Sequence, residues 1–256
     1  MTKALALLKT VAAANHAELS PVWDTSCDLG QVYEAGLGVP VDLPQAVSLY
    51  KIAAENGSTR SMLNLAKLYV NGTGVDKDPA TAMRYAEKAA SFDSVTALYF
   101  CGYSYQFGKF GKIDYPRAIE FYKRAIGHSE SRAMNNLGCL YQHGQGVPQN
   151  YLEAVKWYEA AIKAGGKGAK NAKSNMAHLC LTGRGVPLDV AKGIKLLREA
   201  ADEGDVIAER ELGSRLMEGR GVSKNTTEGT QWLNKAARAG DAKSQKILDD
   251  SLKMLH

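Results

Sequence analysis

A pair of glycines separated by one residue returns at a near-constant interval along the chain, and no other feature constrains the fold as tightly. The pairs are Gly36/Gly38, Gly72/Gly74, Gly144/Gly146, Gly183/Gly185 and Gly219/Gly221. Gly108 keeps the phase in a third copy, whose second glycine slips to Gly111. Successive first glycines lie 36, 36, 36, 39 and 36 residues apart. A period of this length marks a small supersecondary unit that cannot bury its apolar face alone and must stack on its neighbours.

The residues in phase with the first glycine define the unit. Seven positions before it stand Leu29, Leu65, Cys101, Leu137, Met176 and Leu212, each followed by Gly or Ala. Three positions before it stand Tyr33, Tyr69, Tyr105, Tyr141, Cys180 and Leu216. Apolar residues four apart form one buried stripe on a helix, helix A, and the small residue in that stripe lets a second helix approach closely. Six positions past the glycine come Asp42, Asp78, Asp114, Asn150, Asp189 and Asn225. These are strong N-cap residues, because a side-chain oxygen accepts an otherwise orphaned backbone N–H. Pro44, Pro79 and Pro116 then fall in the first turn of a second helix, helix B, where a missing N–H costs nothing. Helix B presents Ala46, Ala82, Ala118 and Ala154 (Gly193 and Gly229 later), then aromatic or leucine residues such as Tyr50, Tyr122 and Trp157-Tyr158. Gly57, Gly165, Gly204 and Gly240 are its stops.

The expected fold class is all-α, a solenoid of antiparallel helix pairs forming a single domain over residues 1–256. Its parts are an N-terminal half-repeat or cap at 1–20, six repeats at 21–57, 58–93, 94–129, 130–166, 167–204 and 205–240, and a C-terminal capping helix at 241–256. The three extra residues between copies four and five fall in the Gly165–Lys173 stretch. With Lys163 it carries four lysines and reads as a solvated loop, or as a contact for an acidic partner or membrane surface.

Charge and chemistry narrow the function. The net charge is +5, with thirteen basic against twelve acidic residues before position 128, so neither half reads as a nucleic-acid surface. Cys27, Cys101, Cys139 and Cys180 show no metal-ligand spacing and read as reduced thiols of a cytosol-like compartment. Export to the periplasm is the alternative if residues 1–17 act as a signal. Asn56, Asn71 and Asn225 begin glycosylation sequons that read as chance loop sequence. Cys139 and His143 are four apart on one helix, but two ligands do not make a site, and no cofactor or metal is expected. The glycine pairs follow no strand and do not extend to a phosphate-cradling motif. No nucleophile motif appears and the five histidines form no triad, so the chain reads as non-enzymatic. A hydrolase-like enzyme on a solenoid scaffold and an RNA-binding helical repeat are the alternatives.

The recurring pattern A-x3-L-G-x2-Y-x2-G-x-G-V-x2-[DN]-x3-A-x2-W/Y-Y-x2-A-A-x2-G resembles the Sel1-like repeat, a relative of the tetratricopeptide repeat. Copy four, residues 133–165, matches it best, and copy three departs most, in its loop Gly108-Lys109-Phe110-Gly111. The resemblance implies a right-handed superhelix with helices A lining a concave groove. It further implies a scaffold or adaptor for protein complexes, in a bacterial signalling, regulatory or host-interaction setting. The groove positions then lie twelve, nine, five and two residues before the first glycine. Those expected to grip a partner are Arg60, Leu63 and Lys67 in copy two, Tyr99, Tyr103 and Gln106 in copy three, and Arg132, Asn135 and Gln142 in copy four. Equivalent positions in copies five and six include Ser174, His178, Leu181, Ile207 and Arg210. The expected partner is an extended protein segment or loop carrying acidic groups that arginine would meet bidentately, bound by a monomer. The alternative is a solvated helix surface with the tyrosines packed on neighbours.

Overall fold

The structure, a computed structural model, describes residues 23–253. The half-repeat expected at 1–20 lies outside the described residues. Those described form thirteen α-helices and no strand, and the chain divides into two compact units between His128 and Ser129. The first unit holds α1 (Trp23–Ala35), α2 (Leu43–Glu55), α3 (Thr59–Asn71), α4 (Pro79–Ser91), α5 (Val95–Gln106) and α6 (Tyr115–Ile126). The second holds α7 (Ser131–His143), α8 (Tyr151–Ala164), α9 (Gly166–Thr182), α10 (Val190–Asp202), α11 (Val206–Glu218), α12 (Thr226–Arg238) and α13 (Ala242–Lys253). Odd-numbered helices are helix A and even-numbered ones helix B. Within each unit an A helix packs on the B helix of its own repeat and on the B helix before it.

The local signals act as the residues dictate. Leu29, Leu65 and Cys101 are buried in the first unit, and Leu137, Met176 and Leu212 in the second. All six Asp or Asn caps sit at the N-terminus of a B helix. Asp42 accepts from the Gln45 amide at 3.0 Å, for example, and Asp189 from that of Lys192 at 2.9 Å. The first loop glycine ends helix A in the left-handed region, as at Gly72 (φ 70°), whose N–H donates to the Leu68 carbonyl at 2.8 Å. Copies two and three lack a glycine at the left-handed position after helix B, the Gly127 that caps helix B of copy three being right-handed. Asp93 (φ 57°) and Ser129 (φ 61°) occupy that left-handed position instead, at a steric cost that glycine would not incur.

Two departures from the regular period have physical reasons. In copy three Phe110 occupies the place of the second loop glycine; it turns inward, buried against Phe100 (6.1 Å between centroids) and edge-on to Tyr105 (5.1 Å). The three extra residues before copy five form a first turn of α9, not the solvated loop expected. Two lysines that follow it on α9 are engaged: Lys170 donates to the Gly204 carbonyl at 2.9 Å, and Lys173 pairs with Glu203 at 2.6 Å and Glu199 at 3.1 Å. These contacts tie the next turns of α9 to the end of α10, while the inserted turn itself is held to α7, where the Gly168 N–H donates to the Ser131 hydroxyl at 3.1 Å.

Candidate partner-binding face

The helix-A face rests on a set of residues matched within each repeat. In copies one, three and four a fully buried tyrosine of helix B lies against a glycine of helix A. A Cβ added at Gly30, Gly102 or Gly138 would stand 2.6, 2.6 or 2.7 Å from the ring of Tyr50, Tyr122 or Tyr158. Each phenol reaches past that glycine to a polar residue two positions before the loop. Tyr50 donates to Glu34 at 2.5 Å, Tyr122 to Gln106 at 2.6 Å and Tyr158 to Gln142 at 2.7 Å. Burial and the neighbouring Glu34 carboxylate push the Tyr50 phenol well above its ordinary pKa. Where helix B carries Ala86, Leu197 or Leu233 instead, the residue before the loop is Val70, Leu181 or Met217. In copies five and six these larger side chains meet Gly193 and Gly229, where an added Cβ would stand 2.6 Å from Leu181 and 2.9 Å from Met217. Gln106 and Gln142 are thus acceptors for internal tyrosines as well as expected groove residues, a role that sequence reasoning missed.

In the first unit, Arg60 is exposed on α3 but engaged, pairing with Asp28 and donating to the Gln31 side chain at 2.7 Å. Leu63 is buried, and Lys67 is exposed one turn further along. On α5, Tyr99 is half-buried, its ring tilted against those of Tyr122 (6.3 Å between centroids) and Tyr103 (6.2 Å). Tyr103 is 37 % exposed and lies 4.5 Å from Phe107, itself 52 % exposed. The structure therefore extends the expected tyrosine pair into a cluster of three aromatic rings with its outer two members open to solvent. Phe107 lies one position before the loop and was not among the expected residues.

In the second unit, Arg132 is half-buried and forks onto Glu130, with both N–H···O distances 2.8 Å. The Arg132 hydrogen bonds hold the Glu130 carboxyl below its ordinary pKa. Asn135 is buried and accepts from Asn175 at 2.9 Å. Asn175 stands one residue off the expected groove positions yet bridges α9 to α7, because its side chain reaches back over the preceding helix. Gln142, Ser174, Asn175, His178, Leu181, Leu197, Ile207, Arg210 and Glu211 line a cleft of about 310 Å³. Six of the nine are groove positions read from the sequence, but the cleft lies on copies four to six, beyond the centre expected on copies two to four.

Cys139 is held by hydrogen bonds from the Tyr158 hydroxyl and the Asn175 amide, both at 3.4 Å, and burial pushes its thiol up. No group of three His, Cys, Asp or Glu side chains among the described residues could hold a metal ion. No described helix is long and apolar enough to cross a membrane.

Comparison with known proteins gives this arrangement a family. The Sel1 repeat matches at residues 26–58, 59–91, 95–127, 131–166, 171–205 and 206–241, most of the chain. Among solved structures, a protective antigen of uropathogenic Escherichia coli with an SLR fold is 26 % identical at a TM-score of 0.77, covering 97 % of this chain and 52 % of that one. The chain thus spans about half the length of that relative. A Sel1 repeat protein from Oxalobacter formigenes is 29 % identical at a TM-score of 0.77, over 92 % of this chain and 99 % of its own. An immunity protein of Pseudomonas aeruginosa, 18 % identical at a TM-score of 0.56 over 90 % of this chain and 86 % of its own, shares the fold alone. None of the curated proteins matches the sequence. The chain belongs to the Sel1 repeat family, whose helix-pair arrays serve in general as non-catalytic scaffolds for protein–protein interaction.

Proposed function

We propose that this chain is a monomeric adaptor that takes an extended segment or loop of a partner protein on its helix-A face. The observation that carries the reading is the aromatic cluster of Tyr99, Tyr103 and Phe107. Two large rings half open to solvent on one helix supply apolar area at small entropic cost, the make-up of an interface anchor. Arg60 and Lys67 in the same unit, and Arg132 in the other, are the cations that acidic groups of the partner would meet. Because Arg60 and Arg132 already hold Asp28 and Glu130, they contribute to selectivity and association rate more than to affinity. Leu63 and Gln106 in the first unit, and Asn135 and Gln142 in the second, complete the helix-A face of their own unit from beneath, fixing the rings and helices beside them. The bacterial origin of the two Sel1 repeat relatives supports a regulatory or host-interaction setting.

The test is capture of the partner from the native host, identification by mass spectrometry, and measurement of its affinity for variants. Tyr103→Ala/Phe107→Ala should weaken binding roughly thirtyfold, the scale of a hot spot of about 2 kcal/mol, with helicity unchanged. Arg60→Ala/Arg132→Ala should weaken it further at low salt than at high salt. Full affinity in the aromatic double variant would contradict the reading.

A further inference from the structure

We infer that the three residues inserted before copy five open a cleft in the second unit that receives one uncharged aromatic side chain with a hydrogen-bonding tip, a tyrosine of a partner. The inference goes beyond the adaptor reading and can be tested without the partner.

The insertion binds α9 to α7. Gly168 sits so close to the start of α7 that an added Cβ would lie 2.2 Å from the Ser131 carbonyl carbon and 2.4 Å from the Arg132 nitrogen. Its N–H donates to the Ser131 hydroxyl at 3.1 Å. Further along α9, Asn175 donates to Asn135 and Cys139 of α7. On its other side, α9 is tied by hydrogen bonds through its early turns, where Lys170 meets Gly204, Asn171 meets Asp205 at 2.7 Å and Lys173 meets Glu203. Beyond Lys173 the cleft opens between α9 and α11. A helix drawn onto one neighbour along its length and held to the other near its start leaves such a gap.

The chemistry of the walls selects the occupant. Leu181, Leu197 and Ile207 supply apolar surface. The formal charges are already spent: Arg210 pairs with Asp241 at 2.6 Å and Glu211 with Arg215 at 2.7 Å. Desolvation, reinforced by the charge of Arg184, lowers the pKa of His178 and so favours its neutral imidazole. Gln142 spends its carbonyl oxygen on Tyr158, leaving its amide nitrogen as a donor, and Asn175 spends its nitrogen on α7, leaving its oxygen as an acceptor. Apolar walls with neutral donors and acceptors suit a phenol, whereas a carboxylate or ammonium would shed its hydration without a free counter-charge. At about 310 Å³ the space is at the lower end of ligand pockets, enough for one ring.

The test titrates p-cresol, and separately p-toluate, into the full-length protein while recording the methyl resonances of Leu181, Leu197 and Ile207. We expect p-cresol to shift them saturably and p-toluate to bind at least tenfold more weakly. Deleting Gly166–Gly168 restores the 36-residue interval and should abolish the p-cresol shifts, with helicity checked by circular dichroism. Ile207→Trp, at an exposed position, should fill the cleft and abolish them without threatening the fold. Absent or non-saturable shifts, p-toluate binding equal to that of p-cresol, or p-cresol binding that survives Ile207→Trp or a folded deletion variant would each overturn the inference. Failure of the adaptor reading, a partner that ignores Tyr103, leaves these shifts untouched.

Discussion

Replacing Gly138 by alanine should destabilise the protein, against the helix propensity of the two residues. Propensity alone favours alanine by up to about 1 kcal/mol in a helix interior. The new Cβ, however, would stand 2.7 Å from one Tyr158 ring carbon and 2.8 Å from another, so ordinary contact at 3.4 Å requires the ring to retreat by roughly 0.7 Å. It has no room to do so, since Tyr158 is fully buried and its hydroxyl is fixed to Gln142 at 2.7 Å. Overpacking of this kind costs about 1–3 kcal/mol, and stretching the phenol bond adds about 1 kcal/mol. The net loss should be about 1–3 kcal/mol, read as a lower urea midpoint at unchanged slope by circular dichroism. In a Tyr158→Leu background, which imitates the Ala177/Leu197 pair of copy five, the same Gly138→Ala change should become neutral or stabilising. An equal loss in both backgrounds, or a gain in the parent protein, would refute the matched-set reasoning.

Ser129→Gly should raise stability by about 0.5–1 kcal/mol, because serine there holds a left-handed φ of 61°; thermal unfolding measures it. Asp93→Gly should gain less, since it also loses the ion pairs of Asp93 with His128 and Arg124. Glu130→Gln should cost about 1–2 kcal/mol at pH 7 and less as the pH falls into the acid range. The Glu130 pKa is lowered on folding, so its contribution is present above the unfolded value near 4.3 and is lost as pH falls through the folded one. Denaturant titrations at pH 7 and in the acid range check it, and an equal cost at both would argue against the Arg132 contact. Asp189→Ala should cost about 1 kcal/mol through the lost cap on the Lys192 amide, measured in the same way.

The repeat made much of the fold legible, because six copies sample the same structural positions. Leu65 or Asp78 alone would be a weak signal, but six residues in phase at each position leave one helical stripe and one cap. The matched interior was harder to see. Gly138, Gln142 and Tyr158 lie on two helices, and their link appears only once packing brings the phenol over the glycine. The signal was nevertheless in the chain, since Glu34, Gln106 and Gln142 accompany Tyr50, Tyr122 and Tyr158, while Val70, Leu181 and Met217 accompany their apolar replacements. The inserted turn was misread because Gly166 and Gly168 are poor helix formers. Tertiary contact overrides that propensity, as only glycine fits against the backbone at Ser131. Six residues of the cleft were groove positions in the sequence, but its place on copies four to six was not legible, because it depends on how α9 packs against its neighbours.

The central claim, that the helix-A face binds a partner protein, is tested most directly by comparing the captured partner's affinity for two single variants of the first unit. Tyr103→Ala alters the exposed aromatic cluster of α5, and Lys123→Ala an exposed residue of helix B in α6. The account predicts a loss of several-fold or more for Tyr103→Ala and no change for Lys123→Ala. Equal affinities for Tyr103→Ala and the parent protein, or a loss confined to Lys123→Ala, would contradict it.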